Sequence, residues 1–72
     1  MDPPTLCLRL RGGDTVAIAA HHFEVNDLVA LIVVANSSTG RLQVRECRRL
    51  TSSEFARLVL AVEDDRRVEL QQ

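Results

Sequence analysis

The chain has no tryptophan, no tyrosine and no lysine, and its only aromatic residues besides the two histidines are Phe23 and Phe55. Each absence bears on function. Bases of single-stranded nucleic acid stack on aromatic side chains, and two phenylalanines give them little to rest on. There is no G-x-S-x-G and no P-loop among the three glycines, hence no nucleophile elbow and no phosphate cradle. The longest apolar run is LVALIVVA, Leu28 to Ala35, far short of the roughly 20 residues a membrane-spanning helix needs. The opening MDPPTLCL is acidic and proline-bearing, unlike a secretory leader with its basic start and apolar stretch. With Met1 in place and no such signal, the cytoplasm is the expected compartment.

Metal ligands and nucleophiles are equally sparse. Cys7, His21, His22 and Cys47 are widely separated, with neither the C-x2-C nor the H-x3-5-H spacing of a zinc site. Adjacent His21 and His22 point to opposite faces of a strand, so no metal and no cofactor are expected. Cys47 with His21 or His22 is the one formal arrangement for covalent catalysis. It requires a base within hydrogen-bond reach and a cleft, for which a chain of 72 residues has little room. The expectation is a protein that is not an enzyme. The two cysteines read as reduced, partly buried small side chains.

What is present is an ordinary globular balance: 46% apolar residues, 26% charged residues and a net charge of −1. That composition implies one small domain, which buries only about 60% of its unfolded surface and is marginally stable. LRLRGG, Leu8 to Gly13, is spelled like the end of ubiquitin, but a modifier needs that glycine at the carboxyl terminus, and here the chain runs on to Gln72.

Five elements can be read along the chain. Leu6, Leu8 and Leu10 alternate with Cys7, Arg9 and Arg11, a period of two that predicts a strand over Thr5–Arg11. Gly12 and Gly13 then form a hairpin turn, and Thr15 to about Phe23 is the returning strand. Leu28–Ala35 is apolar on both sides and rich in β-branched residues, which favours a central strand; a short helix capped by Asn26 or Asp27 is the alternative. NSSTG is loop chemistry, and Arg41 to about Arg48 alternates again as a strand hairpinned to the third. TSSE at Thr51–Glu54 is a capping box, with Phe55, Leu58, Val59 and Val62 on one helical face behind it. Glu63, Asp64 and Asp65 end that helix, because its dipole disfavours negative charge there. The predicted fold is α+β: an antiparallel sheet of about four strands with one C-terminal helix packed on it. Residues 1–65 form the domain, and residues 66–72 are a mobile tail or, in the alternative, a short edge strand at Val68–Leu70. No internal repeat is visible.

All nine basic residues are arginine, whose planar fork grips carboxylate or phosphate with defined geometry. If the first and fourth strands share an outward face, Arg9, Arg11, Arg41, Arg45 and Arg49 make one basic, protein-binding patch. A net charge of −1 exerts no long-range pull on a phosphate backbone, and arginine is enriched at protein interface hot spots, so direct nucleic-acid contact is not expected. The small size, the opening MDPPTLCLRLRGGD and the arginine-rich RLQVRECRRLTSSEF together resemble the very small phage-encoded proteins that bind host RNA polymerase, antiterminators that also inhibit initiation. The resemblance implies a non-enzymatic regulator in the host cytoplasm that docks on a polymerase subunit, blocks promoter engagement and lets elongation pass terminators. Two other classes fit the same residues: a small nucleic-acid-binding module using the arginine face, and a homodimeric, antitoxin-like interaction protein that pairs edge strands. From the cysteine and histidine spacing, treatment with a chelator is expected to leave the melting temperature unchanged; stoichiometric zinc in the purified protein would contradict that.

Overall fold

The computed structural model describes residues 2–72. Three helices and three strands alternate along the chain: α1 (Pro3–Arg11), β1 (Thr15–Ala19), α2 (Val25–Asn36), β2 (Arg41–Arg45), α3 (Ser52–Ala61) and β3 (Val68–Leu70). Single 3-10 turns lie at Ala20–His22 and Cys47–Arg49. The strands form one sheet in the order β1-β2-β3, and both pairs are parallel. The fold is therefore a small α+β with a three-stranded, all-parallel sheet. This corrects the expected four-stranded antiparallel sheet with a single C-terminal helix.

The first correction is at Thr5–Arg11, which is helical. Leu6 and Leu10 are buried while Leu8, between them, is 68% exposed; that is a helical spacing of four, not a strand's spacing of two. Pro3 and Pro4 occupy the opening positions of the helix, where a missing N–H costs nothing and the fixed φ is already helical. The glycine pair closes this helix instead of turning a hairpin. Gly13 has φ +92°, its N–H donates to the Leu10 carbonyl at 3.0 Å, and the Asp14 N–H donates to the Arg9 carbonyl at 3.0 Å. Those two bonds are the Schellman pattern, and the left-handed position in it favours glycine.

The second correction is at Leu28–Ala35, which belongs to α2. Leu28, Leu31, Ile32 and Ala35 are fully buried, at i, i+3, i+4 and i+7. The helix is apolar around much of its girth because it lies between α1 and α3. Burial against both neighbours outweighs the modest preference of its valines for strands.

Alternating strand residues assign the faces. Val16, Leu42, Val44 and Val68 are buried with Leu6, Leu10, Leu28, Leu31, Ile32 and Leu58 from the helices in one core. Both crossovers connect neighbouring parallel strands, and crossovers of one hand place their helices on one side of the sheet. All three helices thus form a single layer. The register also reveals a repeat that the sequence reading lacks. Each strand residue pairs with the one 26 positions on, Thr15 with Arg41 and Leu42 with Val68. The helix layer keeps the same interval: Leu6, Ile32 and Leu58 are all fully buried. The molecule is three stacked helix–strand units.

The C-terminal unit is fastened by two polar devices. The capping box forms as the sequence predicts, with the Glu54 N–H donating to Thr51 Oγ1 at 3.2 Å and the Thr51 N–H to Glu54 Oε1 at 3.0 Å. At the other end of α3, Asn36 Nδ2 donates to the Ala61 carbonyl at 2.8 Å and Asn36 Oδ1 accepts from the Glu63 N–H at 3.1 Å. One side chain at the end of α2 therefore satisfies both kinds of backbone group left over where α3 stops. Of the two readings of residues 66–72, the short edge strand is the one observed: Val68–Leu70 forms β3 against β2.

Gly40 is a tight joint between the first two units. Its N–H donates to the Leu10 carbonyl at 3.1 Å, and a Cβ there would stand 2.5 Å from the same oxygen and 2.6 Å from the Asp14 carbonyl oxygen. Both obstacles are backbone, so they cannot swing aside. Gly40→Ala is expected to cost about 1–3 kcal/mol, which lowers the melting temperature by roughly 5 °C or more in a domain of this size. Unchanged melting of this variant would contradict the close packing of the first two units.

Candidate functional site: the open face of the sheet

Parallel sheets are ordinarily covered on both faces. Here the helices cover one. The other carries Thr15, Ala17 and Ala19 from β1, Arg41, Gln43 and Arg45 from β2, and Glu69 from β3, with Thr15, Ala17, Arg41, Arg45 and Glu69 exposed. No element packs on these residues among those described. The surface is flat at β1, where the side chains are small, and basic along the central strand. Arg41 and Arg45 lie four residues apart on one side of β2, about 13 Å along the strand.

Neither the Arg41 nor the Arg45 guanidinium has a hydrogen bond or ion pair to another described residue. Among the other arginines, Arg49 pairs with Glu46 at 3.7 Å, Arg57 with Asn26 at 2.7 Å, and Arg66 and Arg67 with Asp64 at 3.8 and 3.9 Å, while the side chains of Arg11 and Arg48, off this face, are exposed and likewise without a partner among the described residues. The two guanidiniums on the open face are thus available to an outside acceptor. Each sits at the rim of a groove. Arg45 borders a hollow of about 580 Å³ at the carboxyl ends of β1 and β2, with Ala17, Ala19, His22, Phe23 and Glu46 around it. Arg41 borders one of about 380 Å³ with Asp64, Arg66 and Arg67.

The turn beside the first groove is unusual. Glu46 has φ 58° and ψ 38°, the left-handed conformation in a residue with a side chain, which costs on the order of 1–2 kcal/mol. Its carboxylate lies 3.3 Å from His21 Nδ1 and 3.7 Å from Arg49 Nε. The backbone swings there from β2 into the 3-10 turn, and Cys47 is tucked beneath it.

The five arginines expected to form one patch are divided by the fold. Arg41 and Arg45 share the open face. Arg9 and Arg11 belong to α1, in the helix layer, with Arg9 against Asp14 at 3.5 Å. Arg49 is on the 3-10 turn, paired with Glu46. The grouping presupposed a strand at Thr5–Arg11, and a helix there carries its arginines to the other layer. Sequence reasoning missed Gln43, Ala17 and Ala19 as parts of the face; the alternation of β2 pointed to Gln43, whereas the small size of the alanines carries no signal without the parallel pairing.

The Cys47 thiol is buried and contacts the Val44 carbonyl at 3.5 Å, while His21 pairs with Glu46. Among the described residues no group of three or more His, Cys, Asp or Glu could hold a metal ion. No helix among them is long and apolar enough to cross a membrane. No family model, no curated protein and no solved structure matches this chain.

Burial pushes the Cys47 thiol above its ordinary pKa, opposed in part by a backbone hydrogen bond from Gln71, and a thiol kept protonated is a poor nucleophile. Cys7, on α1, is half-buried and free. A thiol-specific reagent at neutral pH is expected to label Cys7 first and Cys47 only as the protein unfolds. Equal, rapid labelling of both in the native protein would contradict this placement.

Proposed function

We propose that the chain is a non-enzymatic regulator that works by docking the open face of its sheet on an acidic protein surface. The observation that carries this reading is the pair of unpartnered guanidiniums, Arg41 and Arg45, on the one sheet face that no helix covers. A guanidinium fork meets a carboxylate through two parallel hydrogen bonds, and the small side chains of β1 let a partner approach closely beside it. The stacking of strand–helix units supports the same reading. A 26-residue period with one strand and one helix per unit falls within the range of leucine-rich repeats, and solenoids of such units bind partners over extended surfaces.

Bacterial RNA polymerase is the partner that the resemblance to phage-encoded regulators implies, and it supplies the action: inhibition of initiation and passage through terminators. Support for the polymerase comes from that resemblance; support for docking comes from the geometry. The net charge of −1 favours a protein partner over a nucleic acid, whose affinity would fall steeply with salt.

The test is co-purification with bacterial RNA polymerase, followed by run-off transcription with and without a terminator. Arg45→Glu is expected to weaken binding by roughly 2–5 kcal/mol if the contact is buried and by far less at the rim, with the melting temperature unchanged because Arg45 holds nothing within the fold. Absence of association with polymerases from several bacteria would remove that partner. Association unaffected by both Arg41→Glu and Arg45→Glu would remove the open face as the docking surface.

A further inference from the structure

The sheet has two edges, and they differ. At β3 the edge is short and guarded. The strand is three residues long, and the Val68 N–H, which points away from β2, already donates to the Asp64 carbonyl at 3.2 Å. At β1 the edge is five residues long and reads Thr-Val-Ala-Ile-Ala, without a charge, a proline or a bulge. The Arg41 N–H donates to the Asp14 carbonyl, so by the alternation of the ladder Val16 and Ile18 face β2. Thr15, Ala17 and Ala19 turn their N–H and C=O groups outward. Edges of this kind are normally shortened, charged or covered, because they template pairing with another chain.

We propose that β1 pairs antiparallel with β1 of a second copy of this chain, giving a continuous six-stranded sheet about a two-fold axis through Ala17. The occupant follows from self-complementarity. A two-fold axis places every residue opposite a residue of its own strand, so a charge near the axis meets its like and repels it. Centred on Ala17, the register sets Ala17 against Ala17, Thr15 against Ala19 and Val16 against Ile18. Like-sized side chains meet on each face and no charge is brought near another. The Ala17–Ala17 and Thr15–Ala19 pairs are the hydrogen-bonded kind, so every outward N–H and C=O of Thr15, Ala17 and Ala19 finds a partner. The same operation on β3 sets Glu69 against Glu69 and requires the Val68 N–H that Asp64 holds. Closed two-fold pairing also ends with the dimer, whereas head-to-tail stacking of units would run on into filaments. The dimer doubles the open face and is independent of what that face binds.

The experiment measures solution mass by light scattering and sedimentation at protomer concentrations up to the order of 100 μM, because a dimer's population depends on concentration. The expected mass of the unaltered protein is that of two chains. Ala17 is exposed and its side chain packs against nothing in the core, so Ala17→Lys and Ala17→Glu are expected to fold with unchanged circular dichroism and to be monomers. A mixture of the two is expected to recover the two-chain mass, because the axis sets position 17 against itself and the mixed pair brings opposite charges together. A monomeric unaltered protein, a dimeric Ala17→Lys, or a mixture that stays monomeric would each overturn the proposal. Should either charged variant fail to fold, the mass of the unaltered protein still decides it.

Discussion

The packing of all three helices against one face of the sheet is the constraint on which the rest of the molecule depends. Three strands of at most five residues bury too little by themselves. They are held because every second residue, from Val16 through Leu42 and Val44 to Val68, enters a core whose other wall is Leu6, Leu28, Leu31, Ile32 and Leu58. A 26-residue register keeps those two walls aligned from unit to unit. One consequence is that α2, between two helices, is nearly all apolar. The other is that the opposite face of the sheet is left bare, and that is where Arg41 and Arg45 stand.

The polar devices in the molecule work at the joints between units, and each one relieves a backbone that the stacking would otherwise strand. Asn36 reaches from the end of one helix to the end of the next. The Schellman turn at Gly12–Asp14 hands the chain from α1 to β1, and Gly40 lets the second unit lie against the backbone of the first. Glu46, held in a left-handed turn by His21 and Arg49, performs the corresponding hand-over at the carboxyl end of β2. That strained turn borders the larger groove.

The parts legible in the sequence are those whose pattern admits one geometry. TSSE followed by an apolar stripe could only begin a helix, and α3 begins where it predicts. Arg41–Arg45 alternates and is a strand. Leu6, Leu8 and Leu10 admit two geometries, because residues two apart contain a pair four apart, and the leading prolines decide for the helix. Leu28–Ala35 has no polar side from which to read a period. Those two assignments carried the topology with them. Strands in place of α1 and α2 leave only short turns as connections, and short turns make antiparallel pairs, whereas parallel strands require the long crossovers that the helices supply. The repeat was hidden because the interval preserves apolar character more than identity, as in Leu6, Ile32 and Leu58. Of the site, Arg41 and Arg45 were legible from the alternation of their strand; their separation from Arg9 and Arg11 depended on the helix.

Nuclear Overhauser contacts between the strands test the one-sided parallel sheet most directly. The account predicts that Val16, Leu42 and Val68 lie side by side, that contacts continue in the same direction along all three strands to Ile18, Val44 and Leu70, and that no helix proton approaches Ala17, Gln43 or Glu69. Cross-strand contacts that run in opposite directions, with the close α-proton pairs of antiparallel strands, would contradict it, as would a helix lying on the face that carries Arg41 and Arg45.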